Sequence, residues 1–134
     1  MVRIVSAVAV KGLGRLALAT AAAAFVATAA QAAGNATAGA QVFKQCTICH
    51  SNTKGAPNKI GPNLFGVVGS KAGTVPGFNF SPAMKNSGIT WTEDKIADYA
   101  QHPAQVVPGN RMPFAGLPKA QDAQDVAAYL ATLK

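Results

Sequence analysis

Cys46-Thr47-Ile48-Cys49-His50 holds both cysteines of a 134-residue chain and one of its two histidines. Two thiols three positions apart, with an imidazole directly after the second, suit dithiol exchange, a zinc site or covalent attachment of a haem. A redox dithiol needs its first cysteine at a helix N-terminus after a strand, where the dipole lowers the thiol pKa. Here the pair closes a helical pattern with no strand before it. Structural zinc needs four ligands, commonly two separated pairs, and the one further imidazole is His102. Haem attachment uses all three residues. Cys46 and Cys49 can each add across one vinyl group of the porphyrin, and His50 is then carried beneath the ring, where an imidazole nitrogen reaches iron.

One imidazole leaves a coordination position open, and Met84, Met112 and His102 could fill it. His102 stands before Pro103 at a predicted helix end, where an exposed surface role suits it. Met84 lies in Ser81-Pro82-Ala83-Met84 and can pack on the ring. Met112 lies in Asn110 to Pro118, whose prolines and glycine hold the chain stiff and non-helical. A rigid loop can present a thioether at a set distance, but a loop methionine is also common core filler. The pattern alone leaves the choice open.

Three helical segments must position these groups. Gly39, Phe43 and Cys46 share one face of a helix predicted from about Asn35 to Ile48. Residues 51 to 88 carry glycine and proline too often for a regular element, and so long a loop suggests wrapping around something. Thr90-Trp91-Thr92-Glu93 reads as a capping box opening a second helix, with Ile96, Tyr99 and Ala100 inward, Pro103 stopping it or opening a short turn through Val107. Val126, Tyr129, Leu130 and Leu133 form the stripe of a last helix from about Lys119 to Leu133, with Asp122 and Asp125 in its early turns. No alternating run is long enough for a sheet. The predicted class is all-α, a few helices and long loops around a small centre.

Residues 1 to 32 read as a cleaved export signal: Arg3, Lys11 and Arg15, an apolar run from Leu16 to Ala30, and a small-residue site ending at Ala32. The run is shorter than the roughly 20 residues of a spanning helix. Residues 33 to 134 are then one small domain, which an internal cofactor would help to stabilise. Export predicts the periplasm, an oxidising compartment in which two cysteines are paired or covalently occupied. Without the signal, nine basic residues face five acidic ones. That balance suits steering toward an acidic protein partner, and the absence of a Lys/Arg cluster or aromatic platform argues against nucleic acid.

The motifs resemble class I cytochrome c over nearly the whole of residues 33 to 134, especially its soluble mitochondrial and bacterial c2 members. The resemblance is carried by Gly39-x-x-x-Phe43, Cys46-x-x-Cys49-His50, Gly61-Pro62-Asn63-Leu64, Gly77-Phe78, Gly88-Ile89-Thr90-Trp91, Pro108-Gly109-Asn110-Arg111-Met112, Phe114-Ala115-Gly116 and Asp125 to Leu130. It implies one covalent haem c with His50 and Met112 as axial iron ligands and the Pro62 carbonyl accepting from His50. It further implies Trp91 bonding a propionate, Tyr99 near the methionine sulfur, and Gly39 and Phe43 meeting Val126 and Tyr129 where two helices cross. Ser70, Phe80, Met84 and Asn110 depart from the commonest residues around the haem, and Ala104 and Gln105 replace frequent docking lysines.

The expected function is therefore a non-enzymatic, monomeric one-electron carrier. It would run between a cytochrome bc1-type donor and an oxidase or reductase acceptor, docking near Lys44, Arg111 and Lys119. Two rivals are a haem subunit dedicated to one dehydrogenase and a small haem peroxidase. A peroxidase needs a distal acid-base group, and the region around Met112 holds no histidine or carboxylate.

Overall fold

The structure is a computed structural model that describes residues 32 to 134; the predicted export signal, apart from Ala32, lies outside them. Five helices follow one another: α1 (Ala36–Phe43), α2 (Pro82–Lys85), α3 (Glu93–Gln101), α4 (Pro103–Val106) and α5 (Ala120–Ala131). Among the described residues the sole ladder-type pairing is one bridge between Lys71 and Thr90.

The terminal helices α1 and α5 cross at the core. Asn35 caps α1 by accepting from the Ala38 amide at 3.0 Å. Gly39 then lets the two backbones meet: a Cβ there would stand 1.8 Å from the Asp125 carbonyl oxygen. One turn on, the Phe43 and Tyr129 rings pack at 5.2 Å between centroids. Asp125, expected in the early turns of the last helix, is buried within it. Its carboxylate accepts from the Asn35 amide at 2.7 Å and from Gln121 Nε2 at 2.8 Å, tying the entry of α1 to α5. Helix α3 packs on α5 beside this crossing, burying Ile96 and Ala97 against the core that holds Val126 and Leu130.

Two boundaries and one added element differ from the sequence reading. The first helix stops at Phe43 rather than continuing to Ile48, because the Lys44 and Gln45 amides turn to the carbonyls three residues back. A short 3₁₀ turn over Cys46–Ile48 follows. The long connection also contains α2, a single turn that Ser81 caps and Pro82 opens, a pairing visible in the sequence.

The cap of α3 is Thr92 and not Thr90: Thr92 Oγ1 accepts from the Lys95 amide at 3.2 Å. Thr90 is occupied in the bridge to Lys71, while the Trp91 amide donates to Ser70 and its carbonyl accepts from Gly69. Those bonds hold residues 90 and 91 extended and delay the helix by two residues. Replacing Thr92 with alanine is expected to cost about 1 kcal/mol, read as a lower midpoint in urea denaturation.

Candidate haem site

Cys46 and Cys49 sit at the two ends of the 3₁₀ turn, both thiols free and half-buried. Burial, with Cys49 adding to it, pushes the Cys46 thiol up to about 11. Exchange-active dithiols have the opposite perturbation. Among the described residues no three His, Cys, Asp or Glu side chains gather as a metal-holding group. A protein-only zinc site is therefore without donors there.

Residues 47 to 50 lie along residues 59 to 62. The Gly61 amide donates to the Cys49 carbonyl at 2.8 Å, and Lys59 Nζ donates to the Thr47 carbonyl. His50 Nδ1 donates to the Pro62 carbonyl at 2.7 Å. A carbonyl can only accept, so Nδ1 carries the proton and Nε2 presents its lone pair. Burial lowers the His50 pKa, the Pro62 bond opposes that shift and Lys59 adds to it. A neutral imidazole with a fixed tautomer is the form that ligates iron.

Gly61 makes this arrangement possible, a role that the sequence reading did not assign to it. A Cβ there would stand 2.5 Å from His50 Cε1, 2.8 Å from Nδ1 and 2.9 Å from Nε2, so the glycine lies flat against the ring. The adjoining Gly-Pro step was the available signal. We expect Gly61→Ala to push the imidazole off the Pro62 carbonyl and cost about 1–3 kcal/mol. The change should be readable in thermal melts and in the ligand-field absorption of the haem-bound protein.

The three candidates for the remaining iron position fall in different environments. His102 is exposed at the junction of α3 and α4. Met84 is buried in α2 within the apolar core. Met112 is half-buried on the loop after α4, free of any helix. That loop begins against α2, where a Cβ on Gly109 would come within 3.3 Å of Ala83 Cβ. It returns to α3, with the Leu117 amide donating to the Ala100 carbonyl at 2.8 Å. Gly116 backs onto the Gln101 carbonyl so closely that a Cβ would stand 1.9 Å from it, at a φ of +110° that itself favours glycine. Trp91 is buried with its ring 5.2 Å from that of Tyr99. Burial pushes the Tyr99 phenol up to about 12.

The site thus divides into two parts. One clamp brings Cys46, Cys49, His50 and Pro62 together, and a separate stiff loop carries Met112, with the Trp91–Tyr99 pair in the core. The departures at Ser70 and Phe80 have other engagements: Ser70 Oγ donates to the Val67 carbonyl at 2.7 Å, and Phe80 meets Phe78 edge-on at 4.7 Å. Paired thiols followed by an Nε2-presenting imidazole are the donor set that covalent haem requires.

Comparison with known proteins agrees. The family model described as cytochrome c matches residues 36 to 134. Cytochrome c2 of Rhodomicrobium vannielii is 54% identical over 103 residues, spanning 77% of this chain and 82% of the relative. Cytochrome c2 of Blastochloris viridis is 50% identical over 99 residues, spanning 74% and 78%. Among solved structures, cytochrome cH from Methylobacterium extorquens superposes with a TM-score of 0.69 at 40% identity, covering 74% of this chain and 99% of that one. The residues of the clamp, the all-helical architecture and these likenesses together establish that the chain belongs to the cytochrome c family, as a c2-like electron carrier with covalently attached haem c.

Proposed function

We propose that the protein shuttles single electrons in the periplasm through a haem iron held by His50 and Met112. The observation that carries this reading is the His50–Pro62 bond of 2.7 Å, which commits Nδ1 and leaves Nε2 for iron. Bound haem supplies a ferric/ferrous couple, and ligation by an imidazole and a thioether raises its potential. The chain's own residues keep both ligands in place through the cycle: the clamp of residues 47 to 50 on 59 to 62 for the first, the loop anchored at Ala100 and Gln101 for the second. Met112 is favoured over its rivals because Met84 is locked in a core helix and His102 is exposed. Pro62 orients His50, and the buried Trp91 and half-buried Tyr99 line the interior on which the loop rests. Trp91 is the candidate donor to a haem propionate.

The chain before Ala33 is read as a signal removed on export, and the domain from residue 33 as a diffusing monomer. Its partners would be a bc1-type donor and an oxidase or reductase acceptor in a respiratory or photosynthetic chain. The docking face we propose takes in the attachment turn, with Lys44 and with Ile48 and Ile60, which are 73% and 71% exposed, and Arg111 on the loop beside Met112. Every acidic residue after position 32 falls between Glu93 and Asp125, so residues 33 to 92 are purely basic in charge.

Mass spectrometry of the exported protein, together with oxidised and reduced absorption spectra, tests this reading. The expected species begins at Ala33, carries one haem that acid-acetone does not extract, and is low-spin in both oxidation states. A colourless protein, or a haem lost on extraction, would overturn it.

A further inference from the structure

We propose that Asn110 is the positioning residue that keeps Met112 in place; the inference rests on Met112 being the sixth ligand. The Asn110 side chain uses its whole amide in the loop. Oδ1 accepts from the Met112 amide at 2.8 Å, while Nδ2 donates to the Pro103 and Val107 carbonyls, each at 3.0 Å. One orientation of the amide alone satisfies all three, because the other would aim an oxygen at two carbonyls.

The two carbonyls belong to the first residue of α4 and to its C-terminal cap, both of them buried, and Val107 is 2% exposed. Asn110 therefore closes the end of α4: its Nδ2 joins the Val107 amide on the Pro103 carbonyl and also meets the Val107 carbonyl, which ends the helix. With the same group it grips the peptide of Met112. The far side of the loop is anchored separately, by the Leu117 amide on Ala100 and Gly116 on Gln101. Upstream of Met112, Asn110 is the side chain that ties the methionine to the body of the protein. Its own amide adds a bond to Val107 at 3.0 Å.

A ligand on a loop is released by local opening, and the open population is set by the bonds that hold the loop closed. An external ligand for ferric iron binds only when Met112 has left, so its apparent affinity is its intrinsic affinity multiplied by the open fraction. Removing three partly buried bonds should raise that fraction roughly 10- to 100-fold. Threonine at position 110 would keep an acceptor for the Met112 amide but lose both donations by Nδ2, and should fall between. Global stability is a separate quantity, altered as well by changes elsewhere in the fold.

The test is cyanide titration of the ferric holoprotein, followed by absorption, for the parent and for Asn110→Ala, Asn110→Thr, Met112→Ala and Thr92→Ala, with urea denaturation of each. The expected order of cyanide affinity is Met112→Ala tightest, then Asn110→Ala, then Asn110→Thr, with Thr92→Ala equal to the parent despite its lower urea midpoint. Asn110→Ala binding cyanide as weakly as the parent overturns the inference, as does Thr92→Ala gaining as much affinity as Asn110→Ala. Met112→Ala binding cyanide no more tightly than the parent would instead overturn the ligand assignment beneath it.

Discussion

Met112→Ala protein should keep its haem through denaturation, bind carbon monoxide readily when reduced, and show a midpoint potential lower by a few tenths of a volt. The attachment survives because it depends on Cys46 and Cys49, which lie on a different segment from Met112, in the turn held against residues 59 to 62. On the proposed ligation by Met112, the potential falls because a soft thioether favours the ferrous state, and water or another hard donor in its place does not. Axial ligands as a class move haem potentials over about 0.8 V, so a shift of that order of size is within the range of one substitution. Met84→Ala serves as the control. Met84 is a core residue of α2, so its loss should lower stability while leaving the ligand bands intact. The reverse result, with Met84→Ala losing the sixth ligand, would exchange the roles of the two methionines.

Gly39→Val should severely damage the fold at a point outside the clamp. The new Cβ would begin 1.8 Å from a backbone oxygen of α5 and 2.9 Å from Tyr129 Cβ, and no rotamer relieves a clash at Cβ. Helices α1 and α5 would have to separate, opening the Phe43–Tyr129 contact and the Asn35–Asp125 bond together. Overpacking commonly costs about 1–3 kcal/mol, and a backbone collision should exceed that in a domain whose total stability is about 5–15 kcal/mol. Urea denaturation of the holoprotein measures it, with Gly88→Ala as comparison. Gly88 has φ +69° but nothing within 4 Å of its would-be Cβ, so it isolates conformational strain from crowding. Comparable losses at both sites would show that helix crossing is not what requires glycine at position 39.

Much of this molecule is legible without coordinates. The cysteine pair and following histidine name their own chemistry, because three rare residue types at that spacing have few other uses. The last helix and the interior stripe of Val126 and Leu130 follow from period alone. The start of α3 does not. Thr90 and Thr92 are both plausible caps, and the choice turned on bonds from Ser70 and Gly69, some twenty residues away in the chain. The same holds for Asp125, whose local pattern gives only a negative charge in the early turns of a helix. Its burial depends on where Asn35 arrives.

Local pattern therefore specified the paired thiols with their histidine, the main helices and the class of cofactor, since residue type and short-range spacing dictate those. Gly61 against the imidazole and Gly39 at the helix crossing arise from separate segments of the chain meeting at atomic range. Steric exclusion and hydrogen-bond geometry act over a few ångströms between such segments. Which residues they constrain is known once the chain has folded back on itself.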